Sequence, residues 1–232
     1  MKVNILFKAS ILSASILTSA QAGEYVGMLD EEDSPKQSNY HSDENEVGLF
    51  LRAGVLASGG TLFDTYTVED YYYGYYVSGI EDYGVSSKGV ELSIGADIAR
   101  SSERGTRFFG VMKTGTDTLV TNGDDFSAGF TQFGVGFEGY TGGKNVHFIY
   151  GTLLSVGSTE DMDYEGNALS YLALEPYIGL EVVNDTGFGG FAKFGYEWRN
   201  YEILSGSIGT TYYSDELESF SLSATVGVQY SF

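Results

Sequence analysis

A chain of 232 residues with a formal net charge of −20 excludes a nucleic-acid binder, because phosphates call for a basic face. Its 42% hydrophobic residues exclude a disordered acidic tail, since that share can bury a core or coat a lipid-facing surface. The absence of Cys leaves stability to something other than disulfides, and 32 Gly, 19 Tyr and 15 Phe against 2 Pro favour strands over helices.

Met1 to Ala22 carries Lys2 and Lys8, an apolar run from Ala9 to Leu17, and a closing Ala20-Gln21-Ala22 before Gly23. That pattern predicts a cleaved signal peptide over residues 1–22 and therefore export; the run is too short to span a bilayer as a helix. After Gly23 no window reaches the roughly 18 apolar residues of a membrane helix, which leaves a soluble periplasmic chain or a barrel. Residues 23–45 hold Asp30, Glu31, Glu32, Asp33, Asp43 and Glu44, and are expected to form a flexible acidic lead-in.

From residue 46 to 232 the pattern becomes period-2 alternation, the signature of strands with two unlike faces. Val47, Leu49, Leu51, Ala53 and Val55 share one side, and Gly48, Phe50, Arg52 and Gly54 the other. Val90, Leu92, Ile94, Ala96 and Ile98 then alternate with Gly89, Glu91, Ser93, Gly95 and Asp97. Five looser segments follow, Thr106 to Thr116, Phe126 to Tyr140, Val146 to Gly157, Leu169 to Val183 and Phe188 to Ile203. The last is the cleanest, with Phe220, Leu222, Ala224, Val226, Val228, Tyr230 and Phe232 set against Ser219, Ser221, Ser223, Thr225, Gly227, Gln229 and Ser231. Pro176 inside its segment predicts a bulge, or a strand that starts later, because proline cannot donate to the ladder.

Short connections at Ser101 to Gly105, Thr141 to Asn145 and Asn184 to Gly187 alternate with long ones at Ser58 to Ser87, Asp117 to Asp125, Ser158 to Ala168 and Leu204 to Leu217. Short turns at one end and long loops at the other predict an all-β fold: an eight-stranded antiparallel up-and-down transmembrane barrel, its turns periplasmic and its loops extracellular. Backbone groups in a bilayer find no water, so the sheet must close. A ring of about eight strands is only wide enough for side chains to fill it.

The strand phase directs Arg52, Glu91, Asp97, Glu138, Glu175, Glu181, Lys193, Glu197 and Arg199 into the lumen, as a plug of ion pairs or as a narrow ion pathway. The four long connections are acidic and hold no Lys or Arg. They carry Asp64, Glu69, Asp70, Glu81 and Asp82; Asp117, Asp124 and Asp125; Glu160, Asp161, Asp163 and Glu165; Asp215 and Glu216. Such a rim serves solvation, or shares divalent cations with lipopolysaccharide, or meets a basic partner. Asp161, Asp163, Glu165 and Gly166 mimic half a calcium loop, but the distal Glu position is Leu172, so no metal and no cofactor is expected. Tyr71, Tyr72, Tyr73, Tyr75 and Tyr76, with Tyr66 and Tyr83, read either as a contact surface or as part of an aromatic girdle. Only two His exist, His41 in the lead-in and His147 at the start of the fifth strand, so catalysis is not expected.

The closing run Thr225-Val226-Gly227-Val228-Gln229-Tyr230-Ser231-Phe232 resembles the last strand of outer-membrane barrels. In those proteins the terminal aromatic is associated with recognition by the barrel-assembly machinery, which implies that role for Tyr230 and Phe232. Pro176-Tyr177-Ile178-Gly179 looks like a strand motif of the opacity-protein and OmpA-type transmembrane-barrel superfamily, and Leu51-Arg52-Ala53-Gly54 is similar to first strands there. The chain stops at its final strand without a peptidoglycan-binding domain, so cell-wall tethering is not implied. The resemblance implies an outer-membrane protein, monomeric, with lipid and lipopolysaccharide around it, the assembly machinery as a partner during insertion, and a host or surface partner for its loops. A structural and surface-interaction role leads; a small passive pore and a lipid-modifying enzyme are the alternatives.

Overall fold

The computed structural model describes residues 47–100, 103–120, 125–160, 168–201, 204–208 and 210–232; the expected signal peptide and lead-in lie outside them. The described residues form β1 (Gly48–Asp70), β2 (Tyr75–Arg100), β3 (Arg104–Val120), β4 (Asp125–Gly142), β5 (Val146–Thr159), β6 (Leu169–Val183), β7 (Phe188–Tyr201), β8 (Leu204–Ile208) and β9 (Thr211–Ser231). Every pairing is antiparallel, and the order runs β1 through β7, then β9, which closes on β1 from Phe50↔Ser231 upward. The ring therefore takes all the strands except β8, which pairs only with the upper part of β9. Among the described residues no helix is long and apolar enough to cross a membrane.

Alternation decides which way each side chain points. On β1 the odd residues Leu49, Leu51 and Val55 face outward, while Phe50 and Arg52 are buried inside. On β9 Leu222, Val226 and Val228 are exposed, and Ser219, Ser221, Thr225 and Gln229 are buried. The pattern repeats around the ring through Ile94, Phe108, Val135, Leu154, Leu180 and Phe194 on the outside. A water-soluble protein rarely shows an apolar patch beyond a few hundred Å², roughly, whereas this belt is continuous around the circumference. The shortest ring strands, β5 and β7 at 14 residues each, already exceed the roughly 9 to 11 that a bilayer core requires.

The strands are longer than hydrophobic alternation predicts. Ser58 to Ser87, expected as a long loop, is strand on both sides of a tight turn, Tyr71 to Gly74, because β1 and β2 stay in register from Gly48↔Asp97 to Asp70↔Tyr75. The stretch is rich in Thr, Tyr and Val, residues that suit a pleated surface, and ladder hydrogen bonds form whether or not the outward face is greasy. Gly74 has φ 66° and its N–H donates to the Asp70 carbonyl at 2.8 Å, the left-handed position that such a turn demands.

Pro176 causes neither a bulge nor a late start. It pairs opposite Thr152 on β5, and on the β7 side the ladder skips Glu175 and Pro176 and resumes in the same register, Leu174↔Trp198 and Tyr177↔Gly195. The missing N–H interrupts pairing locally and leaves the register intact. The irregularity in β2 lies instead at Asp97/Ala99, beside the turn into β3.

Candidate functional site

The interior is stacked in layers, taken here from the end with the short turns upward. Nearest that end, Arg52 and Arg107 share Glu138 and Glu181. Arg52 grips Glu138 with both ends of its guanidinium, Nη1 to Oε2 and Nη2 to Oε1 at 2.8 Å each, and reaches Glu181 at 2.5 Å. Arg107 donates to Glu181 from Nη1 at 2.5 Å and Nη2 at 2.9 Å, to Glu138 at 3.0 Å and to Asp97 at 3.3 Å. Tyr177 donates to Glu138 and Arg52 Nε to Gln229, both at 2.9 Å, while His147 Nδ1 sits 3.4 Å from Glu181. The guanidinium of Arg107 also lies 4.3 Å from the Tyr140 ring centre. All of these charged groups are buried. Isolated charges in such a setting would be untenable, and this shared geometry is what makes them tolerable.

Phe50, one inward position below Arg52 on β1 and beneath both guanidiniums, joins Phe109, Val111, Leu153 and Tyr177 in an apolar cluster that leads up to a second charged layer. Lys193 donates to Glu91 at 2.6 Å, Lys113 pairs with Glu175, Arg199 donates to Asp117 at 2.7 Å and to Glu197 at 3.0 Å, and Gln132 bridges Glu197 and Ser155. A further apolar cluster of Leu62, Val85, Leu169, Tyr171, Ala173 and Tyr201 caps the stack. Each predicted lumen residue is thus found inside the ring and in one of the two networks, Asp97, Glu138, Glu181 and Arg52 in the lower, Glu91, Glu175, Lys193, Glu197 and Arg199 in the upper.

Arg107, Lys113, Gln132 and Tyr177 belong to these networks and were not singled out by sequence. Asp117 is a correction: expected on an acidic extracellular loop, it is fully buried against Arg199. The signal was present in parity, since Arg107, Phe109, Val111, Lys113 and Asp117 are all odd, but Phe108 and Phe109 put an aromatic on each face and masked it. His147 is buried in the lower network.

Above the aromatic rings of Phe63, Phe220 and Tyr196, whose centroids stand 5.9 and 6.2 Å apart along the outer face, the ring opens. The pairing of β2 with β3 stops at Gly84↔Val120 and that of β7 with β9 at Asn200↔Glu218, so above these points, among the described residues, β8, β9, β1 and β2 continue as an open sheet. Its tip holds Tyr71, Tyr72 and Tyr73, each at least 70% exposed, with Tyr75 and Tyr76 just below. From Phe63 to Tyr71 the strand climbs roughly 26 Å, which sets these tyrosines well clear of the aromatic belt. Asp70 fixes the tip: its Oδ1 accepts from the N–H groups of Tyr72 and Tyr73 at 2.8 and 2.9 Å, and its Oδ2 from Thr211 at 2.9 Å. The Tyr73 N–H leads in holding the Asp70 carboxyl below the usual carboxylate range. Asp64 shows the opposite behaviour. Burial first, then the nearby Asp215 and Glu81 charges, raises its carboxyl above that range. Asp64 stands directly opposite Glu81 on β2, a like-charge pair that the sheet tolerates at a cost.

Among the described residues no group of three His, Asp or Glu side chains is placed to hold a metal ion. Asp161, Asp163, Glu165 and Gly166 of the half calcium pattern lie outside the described residues, as does Asp124. Tyr230 and Phe232 sit on the outer face with ring centroids 4.8 Å apart, and the Phe232 N–H donates to the Leu49 carbonyl at 2.8 Å.

No protein-family model matches the sequence, and no curated protein matches it either. Among solved structures, the outer membrane protein OprG from Pseudomonas aeruginosa aligns over 80% of this chain and 95% of its own, at 12% identity and a TM-score of 0.52. Ail of Yersinia pestis (14% identity, 77% of this chain, 99% of its own) and Neisserial surface protein A (15%, 76% and 97%) align at TM-scores of 0.36, too low to bear on the fold. With the closed antiparallel ring, its apolar exterior and the OprG alignment together, the chain has the fold of the small eight-stranded outer-membrane β-barrels.

Proposed function

We propose that the protein is an integral outer-membrane barrel whose filled interior makes it a rigid support, and whose acidic, tyrosine-tipped sheet makes contacts outside the cell. The observation that carries this reading is the reversal of polarity across the wall: exposed Leu, Ile, Val and Phe all round the outside, and buried Arg, Lys, Asp and Glu within. That arrangement is stable only where the exterior meets hydrocarbon. The expected cleaved signal peptide and the role of Tyr230 and Phe232 in assembly belong to the same reading. The outer aromatic rings mark the interface with headgroups, the tip tyrosines supply amphipathic contact area at low entropy cost, and the acidic sheet favours a basic partner or cation-bridged lipopolysaccharide. The test is heat-modifiable gel mobility combined with protease treatment of intact cells. A faster unboiled band, with cleavage confined to the end that carries the four long connections, is expected; recovery of the chain in an osmotic-shock fraction overturns the reading.

A narrow pore is the second reading, and one observation favours it. Glu91 Oε2, Asp117 Oδ1 and Gln132 Oε1 are buried acceptors with no donor among the described residues, so the upper layer has more acceptors than its neighbours there satisfy. The apolar clusters above and below that layer favour the plugged barrel, for which planar-bilayer recordings are expected to show no conductance steps.

A further inference from the structure

The open sheet above the barrel treats its two edges differently. On one side, β9 loses β7 at Asn200↔Glu218 and gains β8, which pairs from Leu204↔Asp215 to Ile208↔Thr211. The chain covers that edge with a short strand of its own. On the other side, β2 pairs with β1 all the way to Tyr75 but with β3 only from Gly84 downward. Among the described residues, Tyr75 to Asp82 has no strand on its outer side.

In an antiparallel ladder, alternate residues turn both N–H and C=O away from the strand they pair with. This edge therefore presents a row of backbone donors and acceptors over roughly 26 Å of extended chain. Natural edges are usually blunted by Pro, charged side chains, a bulge or extreme shortness. On this edge the charges, Glu81 and Asp82, stand only at the lower end, leaving Tyr75 to Ile80 uncharged. Here β1 and β2 run without a register shift, the segment contains no Pro or Lys, and Tyr76 and Ile80 stand 64% and 71% exposed on its outer face. On the opposite face the Tyr66 ring lies across Gly79, and Asp70 pins the turn above, so the strand is held straight and in place.

Charge selects the occupant. Glu81 and Asp82 lie on the edge strand, one on each face, with Asp64, Asp215, Glu69 and Glu218 on the strands beside it, and no Lys or Arg between residues 61 and 87 or 204 and 219. A second copy would bring two acidic, cation-free ribbons together, which the repulsion of their summed fields opposes. We propose that the β2 edge, Tyr75 to Asp82, captures an extended, lysine- or arginine-rich peptide segment by strand addition, its backbone pairing with β2 and its cations meeting Glu81, Asp82 and their neighbours. Main-chain hydrogen bonds then supply affinity and the side chains on either face supply selectivity. This rests on the surface-contact reading above and specifies how contact is made.

The probe is an eight-residue peptide of alternating Lys and Val, offered to the full chain refolded in detergent micelles. The expected result is binding that protects amides within residues 75–82 from hydrogen exchange. It weakens at least tenfold when alternate peptide nitrogens are methylated so that they cannot donate, and weakens similarly in Glu81→Lys/Asp82→Lys. A Glu-Val peptide is expected not to bind. Binding that ignores methylation and leaves residues 75–82 unprotected overturns strand addition, while the acidic surface remains a contact site. Loss of binding on Tyr72→Ser/Tyr73→Ser with methylation still ignored moves the contact to the tip and likewise overturns the edge. Failure of the Lys-Val peptide to bind overturns it outright, and concentration-dependent pairing of the protein with itself through the same amides names a second copy as the occupant instead. Heat-modifiable mobility of each variant, measured alongside, reports separately on the barrel.

Discussion

Below Phe63 and Phe220 the sheet is a ring; above them the same strands β1, β2 and β9 continue as an open ribbon with β8. In the ring, side-chain chemistry is divided by direction, apolar outward and charged inward, because two different media lie on the two sides of the wall. In the ribbon the division fades: Phe63 faces outward between Asp82 and Glu218, and Asp64 faces Glu81 on the other face. The contrast shows that a strand's polarity pattern reports its surroundings, whereas its existence depends on backbone pairing alone.

Several measurements press on that contrast. The largest effect is expected in the ring's lower charged layer. Arg52→Ala leaves Glu138 and Glu181 short of a shared cation in a buried site, and a loss of about 3–5 kcal/mol is expected from urea titration of the folded, heat-modifiable band. Next is the outer wall: Leu222→Arg should cost about 2–4 kcal/mol if its level lies near the bilayer midplane, in a lipid-vesicle unfolding titration, and nearly nothing if the wall faces water. In the ribbon, by contrast, deleting Tyr71 to Tyr76 should leave barrel mobility unchanged while abolishing protease cleavage at the tip.

The smallest effects are in pH. Asp70 has a folded pKa below its unfolded value of about 3.9, so its support of the tip is fully present above that value and is lost as pH falls through the lower folded pKa. Asp64 runs the other way. Its raised folded pKa makes its contribution full below about 3.9 and lost as pH rises through the folded value. Hydrogen exchange followed from neutral pH to below about 4 should therefore show the turn at Tyr72 and Tyr73 loosening while the Asp64 region tightens. Asp70→Asn should loosen the turn at neutral pH, and Asp64→Asn should remove the second trend.

Much of the ring was legible from sequence because a two-residue period with two unlike media leaves a strong mark, as in β9. The inward charges on β1, β6 and β7 could be assigned by counting parity from an apolar neighbour. Arg107 and Lys113 escaped because β3 places bulky residues on both faces, and Asp117 because an acidic residue beside a predicted loop reads as solvated. Its partner Arg199 comes from β7, 82 residues away, a contact that only closure creates. The ribbon was invisible for the reason already given: where both faces are wet, alternation no longer marks a strand. Pro176 was misjudged because the sheet absorbs one absent donor through a gap instead of a kink.

The pairing of β9 with β1 carries one more consequence. Arg52 and Gln229, hydrogen-bonded across that seam, are 177 residues apart, so the ring shuts only after one of the most distant encounters the chain can make. Bringing such ends together costs loop entropy before any ladder bond repays it, and until then β1 and β9 expose sticky margins beside a greasy wall. A chain built this way folds slowly and aggregates readily unless something shelters those margins until the last zip is drawn.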